Sequence, residues 1–285
     1  MAEHDASTSV ALVTDSTAYL PVGIAVDNHI RVVPVQVVIG GVAYDEGVDI
    51  SPEGVAAALR AYTPVSTSRP SPQRFLDEYV AAAESGATAI VSAHLSADMS
   101  GTSESAILAA RESPIPVTVV DSRSIAMGLG FAVLAGAHWA RDGADADAVA
   151  EVVRRRAATA SAYFYVDTLE YLRRGGRIRA AQALVGSALM VKPLLSLIDG
   201  RVAPLEKVRT SARALARLEE LAVDRALEGP CDLAVHHLAA ADRADALAVR
   251  LRTRLPDADI VISEVGAVVG AHVGPGMVAV VVSPL

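Results

Sequence analysis

The sequence predicts an α/β protein made of two α/β domains. Residues 1–160 are expected to form a mostly parallel sheet with helices on both faces, and residues 161–285 a mixed sheet with helices. Three observations carry this expectation. Short, near-continuous apolar runs alternate with helix-like stretches through the first half, as in strands buried on both faces. After about residue 160 the order changes to strand, short helix and hairpin before alternation resumes. Hydrophobic residues make up 52% of 285, enough for a large core, and charged residues only 20%, which argues against wholesale disorder.

"SVALVTDS" (9–16) is a β-rich run ending in Asp15-Ser16. "RVVPVQVVIGGVAYDEGVDI" (31–50) reads as two extended runs with Gly40-Gly41 as the hairpin turn. Ser51 caps a helix that has Pro52 at its first position, and Ser71-Pro72 opens another that Gly86 ends. "ATAIVSA" (87–93) and "VTVVDS" (117–122) are buried-type strands. A helix-like stretch follows, then a helix from Asp145 to Ala158. In the second half "SAYFYVD" is a strand, "TLEYLRRGG" a short helix, and "ALMVKPLLSLIDGRVAPLEKVRT" a hairpin turning at Asp199-Gly200. Helices at about 211–227 and 240–254 and the strands "CDLAVHHL", "DIVISEV" and "MVAVVV" complete the chain.

Composition narrows the function. A net charge of −8 argues against nucleic acid as the main ligand, because phosphate binding needs a basic surface. The single cysteine, Cys231, excludes an intramolecular disulfide and a cysteine zinc cluster. The start, "MAEHDASTS", is polar and acidic, unlike a signal peptide, and the longest apolar run, "MGLGFAVLAGAHWA", is shorter than the ~20 residues that span a bilayer. A soluble, cytoplasmic protein is expected. There is no Gly-x-x-x-x-Gly-Lys phosphate loop, no Gly-x-Gly-x-x-Gly fingerprint and no Gly-x-Ser-x-Gly elbow, so no cofactor or metal is expected.

Four polar stretches stand out. "SADMSGTSESA" (96–106) places Ser100, Gly101 and Thr102 between a strand and a helix, where ligands of open α/β sheets bind. Its hydroxyls and a helix N-terminus could hold an anion, or Ser100 or Thr102 could simply be an N-cap. "PVSTSRPSP" puts Thr67 and Ser68 ahead of Arg69-Pro70, either pointing into a cleft or capping the helix at Ser71. "GAHVGPG" puts His272 before a Gly-Pro-Gly turn, a position a structural histidine could also take. "YLRRGGRIR" gathers Arg173, Arg174, Arg177 and Arg179 around two glycines, which could be a docking patch or a solvated helix end.

Seven stretches in order — "TDSTAYLP", "TSRPSP", "MSGTSESA", "VDSRSIAMGLG", "LRRGGRI", "EKVRT" and "HVGPG" — resemble the DegV family of bacterial fatty-acid-binding proteins, from about residue 10 to the end. The resemblance implies a long-chain fatty acid in a tunnel between the two domains. It also implies that the protein presents the carboxylate to a separate ATP-dependent fatty acid kinase, which makes the acyl phosphate, and has no catalysis of its own. Carried over by position, the carboxylate site falls on Thr67, Ser68, Ser100 and His272. Arg209 would support phosphoryl transfer, while Arg173 and Arg177 would dock the kinase. Two departures matter: members often read Thr-Ser-Gln-Pro where this chain has Arg69, and Asp98 brings a like charge near Ser100. The implied protein contacts membranes at most transiently, with a monomer as default. The apolar stretch 182–198 is a candidate tunnel wall or ordinary core. Two rivals stand beside this reading: an acyl hydrolase using Ser100, with His272 as base and an acid such as Asp15, and a lipid sensor without a kinase.

Overall fold

A computed structural model describes residues 9–178 and 192–285. The described residues form an α/β structure with three sheets. The first contains β1 (Val10–Asp15), β2 (Arg31–Val33), β6 (Ala89–His94) and β7 (Val117–Asp121) in the order β2-β1-β6-β7, all parallel. One face packs on α5 (Met127–Arg141) and α6 (Ala146–Thr159) through Leu12, Val91, Leu129 and Val153. The other packs on α3 (Pro72–Glu84) and α4 (Thr102–Ala110) through Val13, Ile90, Phe75 and Ala106. Successive strand side chains face opposite sides, so strands covered on both faces read as near-continuous apolar runs, and the buried polar residues near the carboxyl ends of β1 and β6 are hydrogen-bonded to one another.

The second sheet begins after residue 160. It holds β8 (Ser161–Tyr165), β9 (Lys192–Ile198), β10 (Arg201–Val208), β11 (Cys231–His237), β12 (Ile260–Glu264) and β13 (Val278–Pro284), ordered β10-β9-β8-β13-β11-β12. Only the β11–β12 pair is parallel. Helices α8 (Ser211–Ala226) and α9 (Ala241–Arg254) cover one face, packing on Tyr165, Leu194, Val278 and Val280. The alternate residues Phe164, Leu197, Ala279 and Val281 turn to the other face, toward the first sheet. There α5 joins the two sheets, with Met127 and Phe131 packed on Ala234 and Val281.

The expected hairpin at Gly40-Gly41 is present, but it belongs to a separate third sheet whose other strand the sequence did not show. The run 31–50 divides after β2. Its continuation, β3 (Gln36–Ile39), pairs antiparallel with β4 (Val42–Asp45) across Gly40-Gly41 and with β5 (Val65–Ser68). Both glycines take positive φ, 59° and 90°, which this tight turn requires. The sheet rests on α2 (Pro52–Arg60) and on α10 (Ala267–Val273) near the far end of the chain, through Val37, Val55, Leu59 and Val268. The expected cap at Ser51 is present, its Oγ accepting from the Gly54 N–H, and Asp145 Oδ1 caps α6 in the same way by accepting from the Ala148 N–H. At Asp199-Gly200 the chain turns between β9 and β10, as expected, with φ of 51° and 76°. Two further helices, α1 (Val22–Asp27) and α7 (Glu170–Arg174), complete the set used below.

Candidate functional site

A cavity of about 540 Å³ lies between the first two sheets and beneath α10. Its walls are mainly apolar: Ile125, Phe164, Leu197, Val269, Met277 and Val281 among them. Small residues on the facing strands, Ala162 and Ala279, leave the space open. Of the candidate wall 182–198, residues 182–191 lie outside the described residues; Leu197 of β9 lines the cavity.

At one end the cavity is polar, and Thr67, Ser68, Ser100 and His272 all line it. They come from three separate elements. Thr67 and Ser68 end β5, so they are strand residues rather than caps, and the Ser71 side chain makes no cap bond either. Ser100 ends the loop after β6, and His272 sits in the last turn of α10. Thr67 Oγ1 and His272 Nε2 are 2.9 Å apart, joining residues 205 positions apart in sequence. Ser100 Oγ lies 2.9 Å from Thr102 Oγ1. Neither hydroxyl caps α4: Gly101 is its N-cap and makes no side-chain bond. The N-cap alternative is therefore overturned, and Ser100 keeps a hydroxyl at the cavity.

Burial lowers the His272 imidazole to about 4, helped by the nearby Arg177 cation, so the ring is neutral at physiological pH. Its Nδ1 is buried without a hydrogen-bond partner among the described residues. It faces Gly175, the C-cap of α7. A proton on Nε2 therefore finds a partner in Thr67, whereas one on Nδ1 would not.

The loop bearing Ser100 is held from below. Asp15 Oδ2 accepts from the Leu95 N–H at 3.0 Å and lies 3.1 Å from His94 Nδ1; Oδ1 accepts from the Thr17 N–H and hydroxyl. His94 Nε2 continues to Ser92 Oγ at 2.7 Å, which also accepts from the Tyr79 hydroxyl. Ser96 Oγ donates to the Gly200 carbonyl across the two lobes at 2.8 Å. The hydrolase constellation is thus not assembled. Asp15 spends both oxygens inside the first lobe, and His272 meets Thr67 instead of a carboxylate.

The remaining predicted residues divide. Asp98 does not oppose the polar end: its Oδ1 accepts from Arg201 Nη2 at 2.6 Å, and that bond holds its pKa below the usual range. Arg177 lines the cavity, donating from Nε to the Met99 carbonyl at 3.2 Å and from Nη1 to the Gly175 carbonyl at 2.5 Å. Arg173 and Arg174 are exposed, and both pair with Glu170. Arg179 lies outside the described residues. Arg209 follows β10, is exposed and does not line the cavity. A residue the sequence reading left out of the site is Arg69, which lines the same end. Among the described residues no group of His, Cys, Asp and Glu could hold a metal, and no helix is long and apolar enough to cross a membrane.

Residues 9–285 match the family model described as "Uncharacterised protein, DegV family". This chain belongs to the DegV family. It is 59% identical over 278 residues to a DegV domain-containing protein of Streptomyces coelicolor, covering 97% of this chain and 99% of the relative. It is 33% identical to the protein DegV of Bacillus subtilis, covering 95% and 98%. The solved structure of a Thermus thermophilus DegV family protein, described as fatty-acid binding, superposes with a TM-score of 0.91 at 33% identity, covering 98% of this chain and 100% of that one. That of B. subtilis DegV, described as a fatty acid binding protein, gives 0.91 at 31%, covering 98% and 100%. The two α/β halves read from the sequence are those of these DegV structures.

Proposed function

We propose that this DegV-family protein binds a long-chain fatty acid in the cavity between its two lobes and presents the carboxylate to a separate fatty acid kinase. The lobes are taken as residues 1–160 and 161–285. The observation that carries the reading is the Thr67–His272 hydrogen bond at the polar end of an otherwise apolar cavity of about 540 Å³, within the range of small-ligand sites. The fatty-acid binding of structural neighbours at 31–33% identity supports it.

The chemistry divides between tail and head. Each buried CH₂ contributes roughly 0.8 kcal/mol, so about fifteen of them contribute on the order of 12 kcal/mol before association costs. A charge-assisted hydrogen bond nets only about 1.5–3 kcal/mol. The tail therefore sets affinity and the head group sets position. With the proton of His272 on Nε2, Thr67 accepts from the ring and turns its own O–H toward a ligand oxygen. Thr102 donating to Ser100 frees the Ser100 O–H in the same way. Two hydroxyls then meet one carboxylate, leaving an oxygen free for phosphorylation.

Native mass spectrometry of the protein as purified tests ligand class: a co-purified mass matching a fatty acid is expected, and a ligand of another class, or none even after incubation with fatty acid, overturns the reading. Acyl phosphate formed on adding kinase and ATP separates presentation to a kinase from a sensor role.

A further inference from the structure

The polar end of the cavity supplies donors but little charge. Thr67, Ser68 and Ser100 are neutral, and His272 is neutral because its burial disfavours the imidazolium. Among the described residues only Arg69 and Arg177 bring a full positive charge to the cavity lining. Arg177 already directs two of its nitrogens at main-chain carbonyls, those of Met99 and Gly175.

Arg69 is placed differently. Its Nη1 donates to Glu104 Oε2 at 2.6 Å and lies 3.4 Å from the Gly101 carbonyl; Nε and Nη2 have no partner among the described residues. The pair is open to water, the two side chains being 49% and 71% exposed, so its attraction is screened and easily exchanged for another anion. Pro70, buried behind it, favours an extended backbone at Arg69, and the side chain reaches Glu104 and the Gly101 carbonyl. The floor under the guanidinium is Gly101, where a Cβ would lie 2.5 Å from Nη1. Bare backbone at this point lets the arginine lie over the Ser100–Thr102 turn. Glu104 is the one carboxylate lining this cavity among the described residues, and a bound acid group would compete with it for the same guanidinium.

We infer that Arg69 is the charge partner of the ligand's acid group. Glu104 holds the arginine at the mouth and yields it to an incoming carboxylate. This rests on the fatty-acid reading above and specifies how the head group is selected. It assigns the site a preference for an ionised acid over an uncharged lipid of the same length, which the hydroxyls and neutral imidazole alone do not provide. It also assigns Glu104 an opposing role, since its charge both repels the ligand and occupies its partner.

The test compares palmitate with hexadecanol, which share a tail and differ in head group, by titration of the delipidated full-length protein, wild type, Arg69→Gln and Glu104→Gln. Arg69→Gln is expected to weaken palmitate roughly tenfold and leave hexadecanol unchanged, the scale of one charge-assisted hydrogen bond. Glu104→Gln is expected to tighten palmitate severalfold, again without effect on hexadecanol. Wild-type palmitate affinity should fall with added salt, and Arg69→Gln should flatten that dependence. An Arg69→Gln protein that binds palmitate as wild type does, or that loses both lipids equally, overturns the assignment while leaving fatty-acid binding intact. A wild-type protein that takes up neither lipid overturns the fatty-acid reading itself and this assignment with it.

Discussion

Gly175 and His272 lie so close that a Cβ on the glycine would sit 2.1 Å from the imidazole Nδ1. The two belong to the stretches "LRRGGRI" and "HVGPG", and the contact gives both a shared physical reason: the C-cap of α7 must be bare for the ring of α10 to rest on it. Gly175 has φ −70°, a helical value any residue adopts, so only space demands the glycine. Gly175→Ala would ordinarily stabilise a chain slightly by restricting its unfolded state. Here it is expected to destabilise by about 1–3 kcal/mol through overpacking, and to weaken fatty-acid binding by moving His272 away from Thr67. Urea unfolding and ligand titration check both effects. An alanine variant as stable as wild type would mean that the ring moves aside freely.

Thr67→Val keeps the shape of the side chain and deletes the hydroxyl, leaving His272 Nε2 without its partner. A loss of about 1–2 kcal/mol in stability is expected from the stranded polar group. Fatty-acid affinity should fall by about tenfold, because the tail dominates binding. Acyl-phosphate formation with added kinase should fall much further, since the carboxylate loses its position. Equal losses in affinity and turnover at saturating lipid would contradict this division between tail and head.

Arg209 and Arg177 should separate. Arg209 does not line the cavity, so Arg209→Ala is expected to leave lipid affinity near wild type and to impair only phosphoryl transfer. Arg177 ties the loop before Ser100 to the end of α7 through the Met99 and Gly175 carbonyls. Arg177→Ala should therefore weaken lipid binding by severalfold as well as kinase association, and low salt should restore only the association. Titration of lipid and of kinase at two ionic strengths distinguishes the losses. Lipid affinity lost with Arg209→Ala, or unchanged with Arg177→Ala, would reverse these roles.

What could be read from the sequence was local. Capping at Ser51-Pro52, the turns at Gly40-Gly41 and Asp199-Gly200, and the apolar runs of β1, β6 and β7 each declare themselves within a few residues. What escaped was built by distance. The strand β5 is only four residues, two of them exposed and all but one hydroxylated, and its partner β3 lies about 30 residues upstream. Its pairing rests on packing against α10, some 200 residues later, which no local pattern encodes. The same holds for Arg69, whose partner Glu104 is 35 residues away. The order of motifs pointed to Thr67, Ser100 and His272, but the 2.9 Å bond between the first and last exists only because β5 and α10 converge.

The start of α10 is fastened to the first lobe by a buried acid, and its titration opposes that of the buried histidines. Glu46, 4% exposed, accepts from the Val268 N–H at 2.7 Å, the Tyr19 hydroxyl at 3.1 Å and the Ser16 hydroxyl at 2.5 Å. Desolvation outweighs these bonds and raises its pKa from 4.5 to about 7. Between those values the folded protein keeps a proton that the unfolded chain has lost, so this group's contribution falls as pH rises, by about 3 kcal/mol in all. Burial moves His236 the other way, from 6.5 to about 4, and His272 likewise. Over that window the unfolded chain binds the extra protons, so their contribution falls as pH drops. Glu46→Gln keeps an acceptor at this place and removes one of the two opposing trends. The variant is expected to match wild type near pH 5 and to exceed it by up to about 3 kcal/mol near pH 8, with a steeper rise in stability between. Urea unfolding across that range measures the difference directly. A gap between variant and wild type that does not change with pH would show that Glu46 titrates at its ordinary value, and that the link between the first lobe and the helix of His272 carries its charge without cost.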